Sequence, residues 1–277
     1  MDVYQYFGLK VNPFSTTPDP TFAYETKEHR MAMVKILYSI QEQMGIFLLQ
    51  GEVGTGKTTL CRFVLQTLQD DARYATTYLT NLTMRTSASM LRTITTAYGL
   101  PSRFKEKDIN EELLGFLIAA HKEGRTVVLL IDEAQTIHGP NLTTLHMLSN
   151  HQTLKHKLLQ IVLFSQPTFS RKLEQVPALR SRITGAAYLN ALSFEDATEM
   201  LRYRMERAGG SFDAVFPAPE LHHLLYKATG GIPRELCVLC NATLVNAYGA
   251  GNKRVMGADI EGAISDFRFK YKEAHRV

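Results

Sequence analysis

Short apolar, β-branched or aromatic runs recur through the first two thirds of the chain: GIFLLQ (45–50), YATTYL (74–79), TVVLLI (126–131), LLQIVLF (158–164) and GAAYLN (185–190). Longer segments with helical spacing separate them. Strands that read as continuous apolar runs are buried on both faces, so this alternation predicts a parallel sheet covered by helices on each side. After Ser193 the strand-like runs stop. From SFEDATEMLRYRMERAG onward the pattern is helix, loop, helix, with breaks at GGSFDAVFPAP and TGGIP. The expected organisation is an α/β domain over 1–192, including a Pro- and aromatic-rich N-terminal segment over 1–44, followed by an all-helical domain over 193–277.

The first run leads into the pattern G-x-x-x-x-G-K-[ST], spanning Gly51, Glu52, Val53, Gly54, Thr55, Gly56, Lys57, Thr58 and Thr59. It lies between an expected strand and the amphipathic segment TTLCRFVLQTL, the setting a phosphate-binding loop requires. Glycines let the backbone curl so that its N–H groups and the following helix N-terminus face phosphate oxygens. Lys57 is placed to reach the β- and γ-phosphates of ATP and Thr58 to ligate Mg²⁺. A second element, VVLLIDEAQ, ends a hydrophobic strand in Asp132, which can orient the metal. Glu133 follows, where it can polarise an attacking water. Such a buried carboxylate pair is costly without a cation. Gln135 stands close enough in sequence to help sense the nucleotide.

Composition narrows the setting. The chain has 277 residues, 45% of them hydrophobic, enough for a substantial core. No run reaches the roughly 18 apolar residues of a membrane span, and MDVYQYFGLK has no signal-peptide character. A cytoplasmic location without direct membrane insertion is the expectation. Cys61, Cys237 and Cys240 fit a reducing compartment, and the Cys237–Cys240 spacing falls in an apolar helical pattern that reads as packing. His138, His146, His151 and His156 follow no metal-site spacing and read as solvated or capping residues. The formal net charge of +4 permits a polyanionic partner without demanding one.

With YFGLKVNPF, TPDPTFAY, GEVGTGKTTLCR, LLIDEAQ, LLQIVLFSQP, ALRSRI and GGIPRELCVLC in this order, residues 4 to 265 resemble the ExeA/GspA family of AAA+ ATPases. The resemblance implies a five-stranded parallel sheet with a helical lid, ATP hydrolysis, and a nucleotide-dependent homo-oligomer, either ring or helical filament. It places Ser165 or Gln166 as the polar sensor of the γ-phosphate and Arg180 or Arg182 as an arginine finger reaching a neighbouring subunit. Arg234 matches the lid arginine that reads the γ-phosphate in cis. Phe22 or Tyr24 would stack on the base or pin the segment to the core. Relatives serve secretion and pilus biogenesis, and similar proteins accompany DNA transposases. The expected partners are therefore a secretion or pilus machinery protein or, in the alternative, a transposase with duplex DNA. Members in secretion systems commonly continue into a membrane segment and a peptidoglycan-binding domain, so a chain ending at KYKEAHRV is expected to stand alone. For DNA the sequence offers Arg85, Arg92, Arg103, Lys105, Lys107 and the tail FRFKYKEAHR (267–276).

Overall fold

The structure, a computed structural model, describes residues 2–17, 19–101 and 105–274. Arg103 and the side chains of the aromatic and basic tail lie outside the described residues. Five parallel strands form one sheet: β1 (Ile46–Gly51), β2 (Tyr74–Thr80), β3 (Thr126–Asp132), β4 (Leu159–Ser165) and β5 (Ile183–Leu189), in the order β2-β3-β4-β1-β5. Every residue of β4 and all but the first of β3 are buried, which is why these strands read as largely apolar runs, with Gln160 buried in β4 accepting from the Gly45 N–H at 2.8 Å.

Within the unit formed by Lys27–Val53 and Lys57–Leu189, alternate strand residues feed two apolar layers. One contains Leu48, Leu129, Ile131, Ile161 and Leu163 against the helices Ser87–Ala97, Glu106–Lys122 and Gly139–Ser149. The other contains Phe47, Leu49, Val128, Leu130 and Phe164 against the helices Lys27–Gln41 and Lys57–Gln69. Leu60, Cys61, Val64 and Leu68 form the buried stripe of the second helix, each aliphatic contributing about 1.5–3 kcal/mol when fully buried. β5 begins two residues earlier than the apolar run at 185–190 predicts. The Thr184 hydroxyl hydrogen-bonds to the carbonyls of Met44 and Ile46, which draws a polar residue into the strand start.

The second unit comprises Met1–Thr26, Gly54–Gly56 and Asn190–Val277. Its C-terminal part contains the helices Phe194–Arg207, Pro219–Thr229, Pro233–Gly249 and Gly257–Ala274. Ser193 caps the first by accepting from the Asp196 N–H at 3.1 Å, and Pro219 and Pro233 open the second and third. The GGIP sequence has a direct physical reading: Gly230 stops one helix in the left-handed conformation, and Gly231 turns at φ 75°. A Cβ on Gly231 would stand 2.3 Å from the Leu192 carbonyl oxygen, so only glycine fits.

Of the N-terminal segment, Met1–Thr26 belongs to this helical unit and the rest to the sheet unit. Phe7, Leu9 and Phe14 are buried among Met205, Phe212 and Leu239. Lys10 N–H donates to Ala208 O at 2.8 Å, and the Arg204 guanidinium donates to Pro13 O at 2.9 Å and Ser15 O at 3.0 Å. Phe22 and Tyr24 pack partly buried against the same core, with the Arg204 guanidinium over the Phe22 ring and Tyr24 against Tyr203. Cys237 and Cys240 are buried on one helix, where burial pushes both thiols up. Among the described residues no helix is long and apolar enough to cross a membrane.

Candidate functional site

The phosphate-loop motif sits where a strand gives way to a helix. β1 delivers Gly51, and the helix Lys57–Gln69 starts at the lysine itself. Gly54 and Gly56 take φ of 85° and 99°, the left-handed backbone that permits the tight curl. Lys57 is only 5% exposed, and its ammonium donates to Gly51 O at 2.8 Å and Glu52 O at 2.7 Å. Val53 is exposed on the loop, Thr55 is fully buried, and Thr59 lies half-buried in the first helical turn. Within the helical unit, Gly54 O accepts from the Arg234 N–H at 3.3 Å, and a Cβ on Gly54 would come within 2.8 Å of Arg234 Cβ.

The second element meets the first through Thr58, whose hydroxyl donates to Asp132 Oδ2 at 2.7 Å. Tyr78 OH approaches the same oxygen at 3.5 Å, and the Glu133 N–H donates to Asp132 Oδ1 at 2.9 Å. Burial raises the Asp132 carboxyl above its usual range despite those hydrogen bonds and the Lys57 charge, with Glu133 adding repulsion. A hydroxyl and a buried carboxylate are hard oxygen donors. This donor set fits a divalent cation of the Mg²⁺ type.

One consequence is a pH-dependent stability. A carboxyl raised in the folded chain favours the protonated form, so its stabilisation is present below the unfolded value near 3.8 and lost as pH rises through the raised folded value. Asp132→Asn is expected to raise the melting temperature of the nucleotide-free protein by a few degrees at pH 8 and to flatten that decline, while losing any stabilisation by Mg²⁺. Thermal melts between pH 4 and 8 measure this. Identical curves for the two proteins would show that the Thr58 and Glu133 hydrogen bonds offset the burial entirely.

Glu133 is joined to the end of the neighbouring strand. Its Oε2 accepts from the side-chain amides of Gln135 and Gln166, the latter at 3.3 Å. Ser165 is instead fully buried, and its Oγ has no hydrogen-bond partner among the described residues. Of the two sensor candidates, only Gln166 shares a cluster with Glu133. Gln135 and Lys172, which bind this turn together, carry no motif signature; only the glutamine next to the acidic pair gave a hint.

Arg180 and Arg182 lie elsewhere. Arg180 is exposed at the end of a short helix and lines a cavity of about 290 Å³ with Leu48, Ser170, Leu173, Glu174 and Ile183. Arg182 immediately precedes β5, whereas Gly51 is registered with Leu189 at its far end, about 20 Å along the strand. Burial and then the Arg182 charge hold the nearby Lys157 ammonium below the ordinary lysine range. The histidines do not converge: His138 and His146 sit at the two ends of one helix, burial pushes half-buried His151 down, and His156 meets the His121 ring at 5.9 Å. In the basic stretch, Lys107 pairs with Glu111 at 3.7 Å, while Arg85 is exposed.

An AAA domain family model matches residues 40–173. General secretion pathway protein A of Aeromonas hydrophila is 36% identical over 264 residues, covering 92% of this chain and 47% of its own length. The chain thus spans about half the length of this curated relative. Among solved structures, Drosophila ORC bound to DNA aligns with a TM-score of 0.72 at 16% identity, over 96% of this chain and 65% of the other. The Aeropyrum pernix ORC2 protein in its ADPNP–ADP complexes gives 0.65 at 18%, over 92% and 71%. The Thermotoga maritima RuvB Holliday junction branch migration motor gives 0.57 at 16%, over 87% and 69%. At such identities the likeness is one of fold alone. The chain belongs to the AAA P-loop NTPases and, within them, groups with general secretion pathway protein A.

Proposed function

We propose that the protein is a Mg²⁺-dependent ATPase whose nucleotide state governs self-association and engagement of a partner of the secretion or pilus machinery. The observation that carries this reading is the 2.7 Å hydrogen bond from Thr58 to Asp132, which joins the phosphate loop to the strand-end acid. Bound there, Mg²⁺ would neutralise charge on the β- and γ-phosphates. Gly51–Thr59 cradle the phosphates, Lys57 contacts the β- and γ-oxygens, Asp132 and Thr58 hold the metal, and Glu133 orients the water. Gln166, whose amide reaches Glu133, is the better sensor than buried Ser165. Arg234 reads the terminal phosphate in cis.

Arg182 is the better finger. It immediately precedes β5, about 20 Å along the strand from the Gly51 end, too far to serve its own phosphate loop, which supports a role in a neighbour's site. Arg182→Ala is expected to lower turnover by about 10³-fold while nucleotide affinity stays within about threefold of wild type. Turnover and nucleotide titration, with particle size followed by light scattering, test this. Unchanged hydrolysis would move the finger to Arg180 or remove it altogether.

A second reading, an ATP-dependent transposition regulator that oligomerises on duplex DNA and recruits a transposase, draws support from one turn. Leu154 is fully exposed there beside Lys155, His156 and Lys157. Repeating the same measurements with duplex DNA across a salt series separates the two, because binding through phosphates weakens steeply as salt rises.

A further inference from the structure

Glu133 has its backbone in the left-handed region, at φ 53° and ψ 41°. A side chain other than glycine or asparagine rarely adopts this, and it persists where neighbours over-determine it. Here they do. The Thr136 N–H and hydroxyl both donate to Glu133 O at 2.8 Å, tightening the 3₁₀ turn Ala134–Thr136. From the helix Phe169–Glu174, the Lys172 ammonium donates to Gln135 O at 2.5 Å and Ile137 O at 2.9 Å, clamping the same turn.

At the centre is the Gln135 side chain. Its Nε2 donates to Glu133 Oε2, and its Oε1 accepts from the Gln166 N–H at 3.0 Å. A carboxylate can only accept and a backbone N–H can only donate, so both ends of the amide are fixed by their partners. Gln166 adds its own amide to the same carboxylate oxygen at 3.3 Å. No hydrogen bond among the described residues falls on Glu133 Oε1.

We propose that Gln135 is the positioning residue of the Glu133 carboxylate. It ties Oε2 to the end of β4 and leaves Oε1 as the oxygen that meets water, while Lys172 holds Gln135 in place. The site demands one donor and one acceptor at this length. Asparagine is too short, glutamate supplies two acceptors and a repelling charge, and methionine fills the space without either bond. This inference rests on the reading of Glu133 as the group that orients the water.

The test compares Gln135→Met, Gln135→Glu, Lys172→Met, Lys172→Arg and the Gln135→Met/Lys172→Met double variant, reading kcat, KM, nucleotide affinity by fluorescence titration, and melting temperature. Gln135→Met is expected to lower kcat by about 10- to 100-fold, the scale on which a misplaced reacting group acts, with nucleotide affinity within about twofold of wild type. Gln135→Glu should lose at least as much. Lys172→Met should lose less, Lys172→Arg should recover most of the rate, and the double variant should be no slower than Gln135→Met alone, because Lys172 acts through Gln135. Wild-type kcat in either Gln135 variant overturns the proposal. So does a loss of affinity equal to the loss of rate, or additive losses in the double variant. Should Gln135→Met not fold, Gln135→Glu and the Lys172 pair decide on the same criteria. Glu133→Gln separates the two layers: if it hydrolyses ATP normally, the underlying reading fails. If it is inactive while Gln135→Met turns over at the wild-type rate, only the positioning role fails.

Discussion

Replacing Lys57 with alanine is expected to weaken nucleotide binding by at least about 100-fold and with it to abolish turnover. The ammonium is almost entirely buried, and it donates to the carbonyls of Gly51 and Glu52 in its own loop. A buried charge kept on backbone carbonyls is held ready: phosphate oxygens can take their place and offer full negative charge in return. Hydrogen bonds to charged groups contribute about 1.5–3 kcal/mol each, so losing two corresponds to roughly 10²- to 10⁴-fold in affinity. The fold should survive, because Leu60, Cys61, Val64 and Leu68 still bury the helix that Lys57 begins. Titration with a fluorescent ATP analogue, alongside circular dichroism, measures both sides. An affinity within threefold of wild type in a folded variant would take the lysine out of the site. Lys57→Met, which keeps the stem and removes the charge, should bind as poorly as alanine if charge and not packing is what matters.

The central strands were legible because both their faces are covered. Leu129, Leu130 and Ile131, or Leu163 and Phe164, feed opposite layers, so their consecutive positions are all apolar. β5, at the sheet edge, alternates between partial burial and exposure, so Thr184 hid its start. The phosphate loop was legible for a different reason: its chemistry is contiguous in the chain, from Gly51 to Thr59. The linkage of Glu133, Gln135, Gln166 and Lys172 was not. Gln135 meets Gln166 and Lys172 from 31 and 37 residues away, and does so because β3 and β4 are neighbours. Ser165 is the last, buried residue of β4 and Gln166 lies just beyond the strand end, a distinction the motif alone leaves open. The N-terminal aromatics Phe22 and Tyr24 were ambiguous for the same reason of distance, since they meet Arg204 and Tyr203 far along the chain.

The companion experiment at the strand end should separate binding from chemistry. Glu133→Gln is expected to bind ATP within about threefold of wild type while turnover falls by about 10²- to 10⁴-fold, the range a positioned acid or base contributes. The side chain keeps its size, and its amide oxygen can still accept from Gln135 and Gln166, which hold Oε2 of the native carboxylate. What it loses is the negative charge that draws a proton from water. The left-handed backbone and the Thr136 and Lys172 bonds around it involve main-chain carbonyls, so they should be unaffected. Because hydrolysis stops after binding, ATP should accumulate on the protein and any ATP-dependent assembly should outlast that of wild type, a lag visible by light scattering after ATP is diluted. Hydrolysis at the wild-type rate would assign the water to another group. Loss of ATP binding together with turnover would instead place Glu133 in the binding cradle, beside Lys57 and Asp132.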